Sequence, residues 1–214
     1  TTIKEFDRVT SGIAEGAVVL LAGEPGLGKS TLVLQIADKI NQPVLYISGE
    51  EAVEQVAGRV KRLRLSGQNL SFLNTTDVET VIGTAINSKP ALLIIDSLQT
   101  MISSEISSAP GSPGQIKAVT AKLVEAAKIN KITTLIIGHV IKSGEVAGPK
   151  TLEHLVDVVL NLEGDKDGVL RMLRCYKNRF GPSDEVGFFE MREHGMIEVA
   201  NPSALLLAIR HHDS

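Results

Sequence analysis

Gly23, Gly28, Lys29 and Ser30 stand in GEPGLGKST (residues 23–31) at the spacing G-x-x-x-x-G-K-[ST]. That spacing has chemical meaning only between a strand and a helix. Both are expected here. AVVLLAG (17–23) is an apolar strand run, and Lys29 to Ile40 places Leu32, Ile36 and Ile40 on one helical face. The loop Gly23, Glu24, Pro25, Gly26, Leu27, Gly28, Lys29, Ser30 and Thr31 is therefore a cradle for a nucleoside triphosphate. Its glycines let backbone N–H groups close on phosphate oxygens, and the helix N-terminus adds partial positive charge. Lys29 reaches the β- and γ-phosphates, and the Ser30 hydroxyl ligates Mg2+. ATP and Mg2+ are the expected cofactors.

Hydrolysis asks for more groups at the same end of the sheet. Asp96 closes the apolar run ALLIID (91–96), at the strand tip where ligands bind in open α/β sheets, and can hold the Mg2+ shell. An attacking water must be oriented or deprotonated. Glu50 and Glu51, in YISGEEA (46–52), lie just past the next strand. From their chemistry alone the two remain alternatives.

The elements that must hold these residues alternate. Strand runs at 17–23, 43–48, 70–74, 91–96 and 133–140 are separated by helical patterns at 29–40, 51–65, a segment capped at Thr76 or Asp77, and 115–130. Continuous apolar strands between helices predict a parallel sheet covered on both faces. After residue 140 the pattern changes. Strand runs at 158–164, 169–177 and 186–191 follow one another, with turn chemistry in DKDG (165–168) and REHG (192–195). The expectation is one α/β domain over residues 1–214, with an antiparallel extension on one edge of the sheet.

Composition narrows the partners. The 214 residues are 43% hydrophobic and 22% charged, with net charge −3, so no general nucleic-acid coat exists; any such site is a local concentration of Lys and Arg. One cysteine, Cys175, rules out a disulfide framework or a cysteine zinc site. Aromatics at 3% argue against a base-stacking platform. No signal-peptide core and no membrane-length apolar run occurs, so a cytoplasmic location without membrane contact is expected.

Larger segments carry a family resemblance nearly end to end: EFDRV, GEPGLGKSTL, VLYISGEE, IIDSLQT, SAPGSPGQ, GHVIKSGEVAGPKTLEHLVD and KNRFGPSDEVGFFEM. The chain resembles the ATPase core of the bacterial RadA/Sms family, in the wider RecA/DnaB-like group. The resemblance implies a RecA-like fold and an ATP-driven ring, a hexamer, acting on single-stranded DNA in recombination and repair by branch migration, beside a recombinase. It places the water-activating carboxylate on Glu50. It gives His139, at the end of TTLIIGHV, the role of sensing the γ-phosphate. DNA would be gripped by the loop at 101–114 and by KSGEVAGPK (142–150), through Lys142 and Lys150. The family's zinc module and Lon-like domain are expected to be absent from this chain, and Glu15, Ile141 and Ser143 depart from the family pattern. Two other classes compete: an ATP-switched assembly factor without motor activity, and a P-loop phosphotransferase.

RCYKNRFGPSDE (174–185) gathers Arg174, Lys177 and Arg179 far from the phosphate loop. Alternation on an extended strand puts Lys177 and Arg179 on one face and Arg174 on the other. In a ring, the first two are expected to reach the γ-phosphate held by a neighbouring subunit, where fixed charge meets charge developing in the transition state.

Overall fold

The computed structural model describes residues 1–139, 152–164 and 168–200. A parallel core is built from β1 (Val18–Gly23), α2 (Lys29–Lys39), β2 (Val44–Ser48), α3 (Val53–Arg62), β3 (Leu70–Asn74), α4 (Val78–Ser88), β4 (Leu92–Asp96), α5 (Pro113–Asn130) and β5 (Thr133–Ile137). β6 (Val158–Gly164), β7 (Leu170–Asn178), β8 (Val186–Arg192) and β9 (Gly195–Glu198) extend it. A short first helix, α1 (Lys4–Thr10), was not foreseen from the sequence. It seals the extension by burying Phe6 and Val9 completely.

The sheet order is β3-β2-β4-β5-β1-β6-β7-β8-β9. β1 lies between β5 and β6, parallel to both, while the pairs β6–β7, β7–β8 and β8–β9 are antiparallel. The expected antiparallel edge extension is thus present. Period-2 alternation splits the core into two layers. Val19 and Leu21 pack with Leu32, Val33 and Ile36 of α2; Val18 and Leu20 pack with Val81 of α4 and Ile116, Val119 and Leu123 of α5. Because both faces are covered, the central strands need no polar positions, which is why they read as unbroken apolar runs.

Local signals stop and start the helices. Asp77 caps α4, accepting from the Thr80 amide at 2.8 Å. Ser112 caps α5, with Pro113 in its first turn, where the missing N–H costs nothing. Lys89 and Lys131 end these helices in the left-handed conformation.

β7 departs from simple alternation. Val159 opposes Lys177, while Leu160 opposes Cys175, so Tyr176 is an inserted residue. A bulge resets the facing of side chains beyond it. Arg174 stands opposite Asn161 and Lys177 opposite Val159, two positions apart on β6, hence on one face. The expectation that Arg174 faces away from Lys177 is corrected. Lys177 and Arg179 both contact the segment just before β6, at Val156 and Asp157.

Candidate active site

The phosphate loop is packed closely against β6, β8 and β9. Gly28 is the N-cap of α2 at φ +97°, and a Cβ there would lie 2.3 Å from Met191 Cε and 2.5 Å from Met196 Cε. At Gly23 a Cβ would stand 2.6 Å from the Leu162 carbonyl oxygen. Only glycine fits both places without displacing neighbours. Arg171, buried on β7, donates through Nε to the Leu27 carbonyl at 3.1 Å and supports the loop from the extension. Lys29 is 4% exposed, and its Nζ donates to the carbonyls of Gly23 (2.8 Å) and Glu24 (2.9 Å). Its ammonium thus lies inside the curl of the loop. Ser30 and Thr31 follow in the first turn of α2, half-buried.

β5 lies next to β1 and β4 next to β5, all parallel, so Asp96 at the tip of β4 and His139 just past β5 stand at the same edge of the sheet as the loop. Tyr46, fully buried, donates its hydroxyl to Asp96 Oδ2. Burial, and then the Asp96 charge, push the Tyr46 phenol well above its usual pKa, so it stays a donor and fixes the carboxylate. Ser48 of β2 is in register with Asp96 and brings the Glu50–Glu51 segment alongside.

The two glutamates then part. Glu50 Oε1 accepts from Ser97 Oγ at 2.9 Å, next to Asp96. Glu51 turns to α3, where its carboxylate pairs with Arg59; its amide donates to Ser48 Oγ at 3.0 Å, and its carbonyl accepts from Asn74 Nδ2 at 2.8 Å. His139 gathers the site. Burial and the Lys29 ammonium hold its imidazole below the usual value, while Glu50 and Asp96 pull the other way. Lys29, Glu50 and Asp96 therefore all lie close enough to act on His139. Among the described residues His139 Nδ1 and Gln99 Oε1 are buried without a hydrogen-bond partner, and Gln99 Nε2 donates to the His139 carbonyl at 3.2 Å.

These features fit a nucleotide with a divalent ion. The loop offers amides and an ammonium, and a buried imidazole nitrogen lacks a partner among the described residues. Among the described residues no group of three or more His, Cys, Asp or Glu could hold a metal by itself. An ion at Ser30 and Asp96 would take most of its ligands from phosphates and water, as Mg2+ does.

Lys177 and Arg179 lie at the other end of the sheet. β7 runs antiparallel, so Arg171 is paired near the loop and Asn178 is paired with Val158, at the start of β6. Lys177 Nζ donates to the carbonyls of Glu153 and Val156 (2.8 Å for the latter), and Arg179 Nη1 contacts Asp157 Oδ1 at 3.1 Å. The buried Asp157 also accepts from the Val18 amide at 3.0 Å and pairs with Lys128. These cations cannot reach their own phosphate loop. The loop at 101–114 is laced by Gln115, whose side chain bonds the backbone of Ser103, Ile106 and Ser108. Lys142 and Lys150 lie outside the described residues.

Sequence reasoning passed over Tyr46, Ser97, Gln99 and Asp157. Ser97 and Gln99 follow Asp96 directly, and that adjacency was the available signal. Tyr46 read only as a buried strand residue, and nothing local marks Asp157.

Residues 3–145 match a family described as an AAA domain. The chain is 45% identical over 214 residues to the DNA repair protein RadA of Bacillus subtilis, covering 98% of this chain and 47% of that one. It is 46% identical over 208 residues to the DNA repair protein RadA of Pseudomonas aeruginosa, covering 95% and 46%. The chain thus spans about half the length of the curated relatives it matches. Among solved structures, the RadB recombinase superposes with TM-score 0.70 at 20% identity, covering 92% of this chain and 97% of that one, which identifies the RecA-like fold.

Proposed function

The chain belongs to the AAA domain family and, within it, to the RadA group of DNA repair proteins; from that premise we propose that it hydrolyses ATP at a site shared between subunits of a ring, and that single-stranded DNA stimulates it. The reaction serves recombination and repair in the cytoplasm by driving branch migration beside a recombinase.

The observation that carries the ATPase reading is the divergence of Glu50 from Glu51. Glu51 is tied to Arg59, whereas Glu50 lies with Lys29, Asp96 and His139. Loop amides and Lys29 hold the β- and γ-phosphates. Ser30 and Asp96 would hold Mg2+, which when bound would neutralise phosphate charge. Glu50, steadied by Ser97, orients the water and takes its proton. His139, kept neutral, faces the γ-phosphate through Nδ1. Charge developing on that phosphate calls for a second cation beyond Lys29. Lys177 and Arg179 of an adjacent subunit supply it, which accounts for their position at the far end of their own sheet. DNA contacts come from the loop at 101–114 and from Lys142 and Lys150.

Size-resolved light scattering with an ATP analogue and single-stranded DNA, paired with ATPase rates, tests the reading. A ring whose rate rises with DNA is expected. ATP-dependent assembly with a DNA-indifferent rate would make the protein a switch, and turnover that follows a small-molecule acceptor would make it a phosphotransferase.

A further inference from the structure

Gln99 reaches across 40 positions of sequence to join the turn after β4 to His139. β4 ends at Asp96, and the chain passes at once into a 3-10 turn, Leu98–Thr100. On one side the Glu50 segment clasps that turn. Ser97 Oγ donates to Glu50, the Gly49 amide donates to the Asp96 carbonyl at 2.9 Å, and the Thr100 side chain fills the space a Cβ at Gly49 would take. On the other side Gln99 Nε2 donates to the main-chain carbonyl of His139 at 3.2 Å. The turn then leads into the stretch bound by the Gln115 side chain. A change at His139 thus has a short route, one hydrogen bond long, into the segment after β4.

The second amide atom makes the link more than a satisfied carbonyl. Among the described residues Gln99 Oε1 is buried without a partner, and so is His139 Nδ1 on the residue that Nε2 already holds. Buried orphans are costly and rare, and two on one contact mark a place whose partners change during function. A neutral imidazole can donate from Nδ1 to an amide oxygen, or turn that nitrogen to a ligand.

We propose that Gln99 is a positioning residue for ATP hydrolysis, locking the His139 main chain to the turn after β4 so that the γ-phosphate-facing group and the segment 98–112 respond together. This rests on the reading of His139 given above. Gln99 itself touches neither phosphate nor water. It acts through the residue beside it.

Hydrogen exchange measured by mass spectrometry, with and without a non-hydrolysable ATP analogue and Mg2+, tests the link. In the unsubstituted chain the analogue slows exchange both at 133–139 and at 98–112. In Gln99→Leu the slowing at 133–139 remains, and the slowing at 98–112 falls about tenfold, the scale of one lost hydrogen bond. Gln99→Glu keeps the shape but replaces the donor facing the His139 carbonyl, so it behaves like the leucine variant and covers the case in which leucine fails to fold. In steady state both variants lower kcat while KM for ATP stays within about twofold, a split that general loosening of the fold does not produce. Retention of the full response at 98–112 in Gln99→Glu overturns the inference and leaves the site reading intact. An unsubstituted chain that binds no analogue overturns the site reading, and the inference with it.

Discussion

Replacing Asp157 with alanine should loosen the end of the sheet that carries Lys177 and Arg179. The Asp157 side chain is 2% exposed and takes three partners: the Val18 amide at 3.0 Å, Lys128 at 3.0 Å and Arg179 at 3.1 Å. Deleting it strands a buried N–H, which costs about 1–3 kcal/mol. Lys128 and Arg179 are each 47% exposed and regain water, so their lost pairing adds only about 0–1 kcal/mol apiece. The whole effect is about 1–5 kcal/mol, or roughly 2–20 °C in Tm for a domain of this size. Asp157→Asn keeps an acceptor for Val18 and should lose about a third of that. Burial would raise the Asp157 carboxyl, but the Val18 amide, Lys128 and Arg179 outweigh it and hold it below the usual range. A depressed carboxyl stabilises fully above its unfolded value of about 3.9 and loses that contribution as pH falls through the lower folded value. Thermal melts followed by circular dichroism should therefore show the same gap between parent and Asp157→Ala at pH 7 and pH 5, narrowing only below about pH 4. A gap under about 2 °C at pH 7, or one that closes between pH 7 and pH 5, refutes the reasoning.

Other substitutions address the chemistry. Lys29→Ala should abolish nucleotide binding or hydrolysis, read by equilibrium binding of a fluorescent ATP analogue and by phosphate release; normal turnover would remove the phosphate-loop assignment. Glu50→Gln should keep ATP bound and lose about 10²–10⁴-fold in kcat, as expected when a general base is removed. Glu51→Gln should instead weaken its contact with Arg59 and lower Tm slightly, with most of kcat retained. The reverse ranking of the two glutamates would show that the wrong carboxylate has been chosen.

The sequence made the parallel core legible because its signals are local. Apolar runs such as ALLIID need no partner to be read as strands covered on both faces, and GEPGLGKST dictates its own loop. The antiparallel extension was visible in its consecutive strand runs. Its detail was not: the extra residue at Tyr176 leaves no mark on the pattern of β7, so alternation carried past it misplaced Arg174. α1 escaped notice because seven residues are too few to show a helical period against noise. The site divided in the same way. Lys29, Ser30 and Asp96 sit where motif and strand tip predict. The choice between adjacent glutamates depends on Arg59, eight residues on, and Ser97, 47 residues away from Glu50. The Asp157 contacts span 22 to 139 positions. Such contacts belong to the fold, and no short window of sequence contains them.

The central claim is that one subunit's Lys177 and Arg179 complete another subunit's site. Mixing tests it most directly. A Lys29→Ala chain and a Lys177→Ala/Arg179→Ala chain, each inactive alone, are combined at varied ratios, and ATPase activity is followed with the mixed assembly confirmed by size and mass. Regained activity, from sites that pair an intact phosphate loop with an intact cation pair, is the predicted result. Mixed assemblies without activity at any ratio would contradict the account.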